Sequence, residues 1–185
     1  ELNIACSGLA ISAKKEDWLA LAGGNNNLFL ALEELYKQFK DAPVLGSLIN
    51  PEIGLAKGSM FELKWEEVGS LLNKALSGEK NNEKTEIGVV AQGITKAAEL
   101  LSNNYSLVIT NVPYLKSGYQ SSILKEFCEN NYKRAKYDLA TAFVERIQRF
   151  LRKHGIACLV SSQYWLFLKY YEKMRKNFIS NETIL

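Results

Sequence analysis

The spacing of apolar residues in the first half of the chain predicts helices. Apolar side chains recur every three or four positions over residues 31–39, which is the repeat of one helix face. The same spacing predicts helices over residues 65–76 and 89–103. Pro and Gly clusters in residues 43–58, and a run of Gly, Ser, Asn, Lys and Glu in residues 77–86, predict irregular segments between these helices. The first half is therefore predicted to be mostly helical.

The second half contains two continuous apolar runs, at residues 107–109 and 156–160. Runs of this kind are typical of strands that are buried on both faces of a parallel sheet. Between them, Asp138 is placed to cap a strong amphipathic helix, which Gly155 is placed to end. A further amphipathic helix is expected over residues 165–178. The order of strand, helix and strand predicts a βαβ unit, so the second half is expected to belong to an open α/β sheet.

Charge is distributed unevenly along the 185 residues, although the formal net charge is only +3. Residues 1–100 carry 10 basic and 14 acidic side chains, whereas residues 101–185 carry 13 basic and 6 acidic ones. The small net charge excludes a uniformly basic, histone-like chain and a strongly acidic one. A polyanionic partner is expected to meet the second half of the chain.

The cysteines predict a reducing, cytoplasmic setting, because Cys6, Cys128 and Cys158 form no CxxC pair and no cluster with the single histidine. For the same reason we expect no metal site. No apolar run approaches the roughly 20 residues of a membrane-spanning helix, so no membrane partner is expected. The chain starts at Glu1 and ends in the apolar run 183–185, which leads us to expect a piece of a longer protein.

The best candidate for chemistry is the segment that follows the first predicted strand, because ligands bind at the carboxyl ends of strands in open α/β sheets. Asn111 offers an amide oxygen, Val112 a backbone carbonyl before Pro113, and Tyr114 an aromatic face. Two acceptors and a ring suit a flat, amino-bearing base. The simpler alternative is that these residues form only a turn after a strand.

Residues 105–115 resemble motif four, (D/N)-P-P-(Y/F), of S-adenosylmethionine-dependent N6-adenine DNA methyltransferases. Residues 138–145 are similar to the motif five helix of that family, and residues 155–166 to its next strand and loop. Residues 170–176 resemble the following helix in the large single-chain branch, which includes type IIG restriction–modification enzymes and the phage-exclusion (BREX) methyltransferases. Residues 41–49 resemble a helical insertion of that branch.

The resemblance implies a partial Rossmann-like, class I methyltransferase sheet in residues 105–185, preceded by a mostly helical insertion in residues 1–104. It implies S-adenosylmethionine as cofactor and double-stranded DNA as partner, together with restriction or phage-defence subunits. The implied reaction is methylation of the N6 amino group of a flipped adenine.

The resemblance also implies a role for each residue of the motif. The Asn111 amide oxygen and the Val112 carbonyl would accept hydrogen bonds from the adenine amino group, Pro113 would fix the turn, and Tyr114 would stack on the flipped base. Leu139 and Phe143 are candidates for contact with the adenine ring of the cofactor, although core packing explains their helical spacing equally well.

The segment between the motif and the next helix is rich in basic and aromatic residues. Such a loop can line a cleft for the DNA backbone, and an ordinary solvent-exposed loop is the alternative. The DNA-binding candidates are Lys116, Tyr119, Lys133, Arg134 and Lys136.

Two departures from the family pattern matter. Valine replaces the usual second proline at position 112, which keeps the carbonyl but is expected to cost loop stiffness. Nothing upstream resembles the glycine-rich motif one that holds the cofactor, so we expect this piece not to bind the cofactor properly alone. Methylation of RNA guanine or protein glutamine, and a non-enzymatic helical module with a degenerate site, remain as alternative functions.

Overall fold

The computed structural model describes residues 2–51, 64–77 and 82–183. Contacts divide the chain into two compact units, Glu1–Asn103 and Asn104–Leu185. The regular elements are α1 (Lys15–Ala20), α2 (Asn26–Phe39), α3 (Ala42–Leu45), α4 (Trp65–Leu76), α5 (Asn82–Ser102), β1 (Tyr105–Asn111), α6 (Ser122–Asn131), α7 (Leu139–Phe150), β2 (Leu151–Val160), α8 (Tyr164–Phe167) and α9 (Glu172–Asn181), with 3-10 turns at Gly46–Leu48, Ser117–Tyr119 and Lys169–Tyr171.

In the first unit, α1 and α2 pack through the fully buried side chain of Trp18. The Trp18 Nε1 donates to the carbonyl of Leu32 at 2.8 Å, so the polar atom of the buried indole is satisfied. The Asn25 side chain caps α2 by accepting from the backbone N–H of Leu28 at 3.1 Å. The predicted helix over residues 31–39 is confirmed and starts further upstream, at this cap.

Two sequence predictions in the first unit need correction. Residues 82–86 were predicted as loop, but they are the first turns of α5, where Glu83 complements the positive end of the helix dipole. The segment 43–58 was predicted as irregular, yet part of it lies in α3 and the 3-10 turn that follows. Residues 52–58 and 78–81 lie outside the described residues. The prediction of a helix over 65–76 is confirmed as α4.

The second unit is built on a parallel pair of strands, as the βαβ pattern predicted. β1 and β2 pair in register from Leu107, opposite Ile156, to Asn111, opposite Val160. Helix α7 covers one face of this pair. The buried cluster between them comprises Val112, Ala140 and Ile147, with Val108, Phe143, Ala157 and Leu159 packed against it. This arrangement is compatible with the α/β class, and the larger Rossmann-like sheet remains a prediction.

The opposite face of the strand pair is not covered within the described part of the chain. Leu107, Ile109, Ile156 and Val160 are all more than half exposed there. The prediction that both strands are buried on both faces is therefore wrong for this unit. The reason is that one helix, α7, packs on the pair and covers only the side chains that point toward it.

The connection between the strands holds two helices rather than one. Helix α6 lies in the segment predicted to be a basic loop, and the Ser121 hydroxyl caps it by accepting from the N–H of Leu124 at 3.3 Å. Leu124 and Cys128 form its buried face. The sequence pattern did not predict α6 because only two apolar positions of this helix are buried and charged residues lie between them.

Gly155 does not end a helix, contrary to the sequence prediction. Helix α7 stops at Phe150, and residues 151–155 already belong to β2. Tyr105 pairs with Leu151 but Leu107 pairs with Ile156, so β2 forms a bulge between these two pairs. His154 takes a positive φ of 63° in this bulge. A Cβ on Gly155 would lie 2.9 Å from the carbonyl oxygen of Tyr105. The glycine is required because two backbone segments approach closely there.

The predicted last helix over residues 165–178 is broken into two. Helix α8 ends at Phe167, a 3-10 turn follows, and α9 begins at Glu172.

None of the helices in the described ranges is long and apolar enough to cross a membrane.

Candidate functional site

The candidate motif occupies the carboxyl end of β1, and one of its side chains is buried while its neighbours are exposed. Val112 is only 2% exposed and packs against Ala140 and Ile147 of α7. Asn111 and Tyr114, on either side of it, are exposed. Burial of the valine side chain therefore anchors the loop, while the amide and the phenol ring remain accessible to a ligand.

Backbone hydrogen bonds fasten the rest of the loop to the start of α7. The carbonyl of Leu115 accepts from the N–H of Leu139 at 2.9 Å, and the carbonyl of Tyr137 accepts from the N–H of Ser117 at 2.9 Å. Between these two bonds, Lys116 and Asp138 form an antiparallel bridge. The loop after Tyr114 is thus held at both ends, which limits the entropy that it would lose on binding a ligand.

Asp138 starts α7 as predicted. Its carboxylate accepts from the N–H of Ala140 at 2.8 Å and so satisfies one of the free donors of the first turn. The hydroxyl of Thr141 lies 2.5 Å from the carbonyl of Ala135 and 3.4 Å from the hydroxyl of Tyr171. Burial raises the pKa of Tyr171 to about 12, so this hydroxyl keeps its proton at neutral pH.

A cavity of about 380 Å³ opens beside the motif. This volume lies at the lower end of the range for small-molecule sites. The cavity collects three tyrosine rings and one lysine from the segments that follow the two strands, and one aspartate from the start of α7. Its lining residues are Tyr114, Leu115, Lys116, Tyr119, Asp138, Ser162 and Tyr164.

Sequence reasoning missed Tyr164. The Lys116 ammonium lies 5.9 Å from the centroid of the Tyr164 ring, so the loop after β1 contacts the start of the helix after β2. A signal was present in the sequence, because the carboxyl ends of neighbouring parallel strands share one edge. The segment after β2 is therefore as strong a candidate for ligand binding as the segment after β1.

The predicted cofactor residues lie on the first turns of α7. Phe143 is half-buried and packs against the cluster around Val112, which accounts for its apolar character. Leu139 is also half-buried, and its backbone N–H is bound to Leu115. Within the described residues, neither strand is followed by a glycine-rich loop, so no cradle for S-adenosylmethionine is assigned to them. A cofactor role for these two side chains stays a prediction.

The structure separates the predicted DNA-binding residues into two groups. Lys116 and Tyr119 line the cavity, whereas Lys133 and Arg134 are exposed in the turn between α6 and α7. Lys136 forms an ion pair with Glu129 at 3.3 Å. Burial raises the pKa of the Glu145 carboxyl, and the charge of Arg134 opposes that rise. Arg134 and Lys136 therefore already interact with carboxylates of this unit.

An α/β unit with an amide, a carbonyl and aromatic rings at the carboxyl end of a parallel strand is the kind of site that a base-modifying enzyme needs. A model of the Eco57I restriction-modification methylase family matches residues 10–185. The chain belongs to this family.

Two relatives carry names that agree with the resemblance stated from the sequence. The adenine-specific methyltransferase PglX of Lacticaseibacillus casei (strain Zhang) is 26% identical over 150 residues, which cover 80% of this chain and 12% of that protein. The adenine-specific methyltransferase BrxX of Escherichia coli O9:H4 (strain HS) is 26% identical over 167 residues, which cover 90% of this chain and 13% of that protein. The predicted resemblance is confirmed, and the chain spans only a small part of these relatives.

Proposed function

We propose that the protein containing this chain is a site-specific, adenine-specific DNA methyltransferase of a restriction–modification or phage-defence system, acting in the cytoplasm on double-stranded DNA. The chain would supply the site for the target amine. Family membership and the names of the two relatives support this assignment. The single observation that carries it is the exposure of Asn111 and Tyr114 around the buried Val112, with Tyr114 and Lys116 lining the adjacent cavity.

The chemistry of adenine explains why these groups suit it. The lone pair of the N6 amino group is delocalised into the ring, which makes the nitrogen a poor nucleophile. The Asn111 amide oxygen and the Val112 carbonyl would accept its two hydrogens and favour a tetrahedral nitrogen with a localised lone pair. The localised lone pair would be the nucleophile, so the amino group need not lose a proton before the methyl group arrives, and its extra proton would leave after the transfer.

Positioning of the base would contribute in addition to polarisation of its amino group. Tyr114 would stack on the base after it leaves the duplex, and Pro113 limits the backbone freedom of the loop between ring and amide. S-adenosylmethionine would supply the methyl group. The described residues act on the acceptor: they hold the base, orient its amino group and keep the two acceptors in place.

The experiment uses the full-length protein. It is incubated with S-adenosylmethionine and several unmethylated DNAs, which are digested to nucleosides and analysed for N6-methyladenine by mass spectrometry. We expect product from the wild type, none from Asn111→Ala, and normal product from Asn3→Ala, which changes an exposed asparagine outside the site. A wild-type protein that binds cofactor but modifies no adenine in any DNA would refute the proposal and direct the search to RNA and protein substrates.

A further inference from the structure

Tyr164 is placed at the candidate site by the pairing of the strands. Asn111 at the end of β1 lies opposite Val160 at the end of β2, so the segments that follow them leave the sheet side by side. Tyr164 begins α8, and its ring lines the same cavity as Tyr114. Two tyrosines from two different strand ends therefore face one cavity that is wide enough for a small planar ligand.

The helix that carries Tyr164, α8, is anchored by the buried side chain of the next residue, Trp165. Trp165 is only 9% exposed, its Nε1 donates to the hydroxyl of Ser161 at 3.1 Å, and its ring packs edge-on against Phe178 with centroids 5.7 Å apart. Adjacent residues of a helix point about 100° apart. With Trp165 fixed inward, Tyr164 is kept outward, and it is 58% exposed on the cavity side.

The carboxyl end of α8 is fixed as well. The Arg175 Nη1 of α9 donates to the carbonyls of Trp165 and Leu168, both at 2.7 Å. The carbonyl of Leu168, the residue after α8, also accepts from the N–H of Tyr171 at 3.2 Å. A guanidinium is well suited to bind two carbonyls at the end of a helix. A four-residue helix is not stable by itself. The two hydrogen bonds from Arg175, which we call the Arg175 clamp, therefore explain how the exposed ring of Tyr164 can keep a defined position.

Lys116 connects the two sides of the cavity. Its ammonium lies 5.9 Å from the centroid of the Tyr164 ring, although it follows Tyr114 on the other loop. A cation over the ring restrains the orientation of Tyr164 before any ligand enters, which reduces the entropy lost on binding. An exposed aromatic ring in a fixed position is suited to stack on a nucleic-acid base.

We propose that Tyr164 is a second aromatic wall of the pocket for the flipped base, with Arg175 and Trp165 as its positioning residues. This inference rests on the proposed function and deepens it. Stacking on a base requires the aromatic ring but not the hydroxyl. Tyr164→Phe should therefore keep the affinity for DNA, whereas Tyr164→Ala should lower it. By comparison with base–aromatic stacking elsewhere, the loss in Tyr164→Ala is expected to be roughly 5- to 150-fold in DNA affinity.

The test compares two DNAs bound by the full-length protein. One carries the target adenine identified by the methylation assay, and the other carries an abasic site at that position. We expect Tyr164→Ala to weaken binding of the adenine DNA but not of the abasic DNA, and Tyr164→Phe to behave as wild type on both. Phe167→Ala changes another exposed ring of α8 that does not line the cavity, and it should affect neither DNA.

The outcomes separate this inference from the proposed function. Equal weakening of both DNAs by Tyr164→Ala, or no weakening of either, would overturn the role of Tyr164 while leaving methylation intact. Absence of adenine methylation by the wild type would overturn the proposed function and this inference together. Arg175→Lys provides a further check, because a lost clamp should lower affinity for adenine DNA selectively, whereas a fold defect would lower it for both.

Discussion

Replacing Gly155 by alanine tests the bulge in β2. The added Cβ would lie 2.9 Å from the carbonyl oxygen of Tyr105 and 3.0 Å from that of Arg152. Both atoms belong to the backbone and cannot rotate away as a side chain would. The strand pair must therefore separate at this end, or the bulge must change shape.

The expected cost follows from the size of these overlaps. Forcing one extra methyl group into a well-packed place costs about 1–3 kcal/mol. Two backbone contacts near 3 Å place Gly155→Ala in the middle of that range, at about 2 kcal/mol, or roughly 30-fold in the opening equilibrium. Gly118 is the matched control, because a Cβ there meets no atom within 4 Å. Gly118→Ala should be neutral or slightly stabilising.

Hydrogen exchange followed by mass spectrometry measures the effect locally. We expect amides of residues 107–111 and 156–160 to exchange roughly 30-fold faster in Gly155→Ala and unchanged in Gly118→Ala. If Gly155 were a helix stop, protection would instead be lost at the end of α7, in residues 147–150. Strand protection equal in the two variants would refute the close-approach argument.

Three further predictions concern the cap, the basic turn and a buried thiol. Asp138→Ala removes the bond to Ala140 and should destabilise the start of α7 by about 1 kcal/mol, measured by exchange in residues 139–143. Lys133→Ala should lower the slope of log affinity for DNA against log salt by about 0.9, whereas Lys74→Ala should leave it unchanged. Burial raises the pKa of the Cys128 thiol to about 11 from 9.0. The folded state therefore holds this proton more tightly, and stability should fall as the pH rises from 9 to 11, with a smaller fall in Cys128→Ala, measured by urea unfolding.

The parts of the fold that were predictable from the sequence are those in which one local signal dominates. Asp138 before an apolar repeat predicted the start of α7, and two continuous apolar runs predicted parallel strands. Helix α6 was missed because charged residues separate its two buried positions, Leu124 and Cys128. A pattern that short does not stand out from a polar loop.

The remaining features depend on contacts between segments that are distant in sequence. From the local sequence, Gly155 is predicted to end a helix. Its actual role depends on the close approach of the Tyr105 backbone, fifty positions earlier in the chain. Tyr164 reads as one more aromatic residue in an aromatic stretch until strand pairing brings it to the cavity beside Tyr114. Neither the local composition nor the helical repeat contains this information, because both describe neighbours in sequence.

Val112 shows how a departure from a family pattern can be compensated by packing. A proline at this position would stiffen the backbone through its ring. The valine achieves a similar restraint differently, because its β-branched side chain is buried against Ala140 and Ile147. The loop after it is also hydrogen-bonded at Leu115 to the first residue of α7 and at Ser117 to Tyr137, just before that helix. Its carbonyl belongs to the backbone and does not depend on the side chain. The substitution therefore moves the source of rigidity from the covalent ring to the core and leaves the proposed hydrogen-bond acceptor in place.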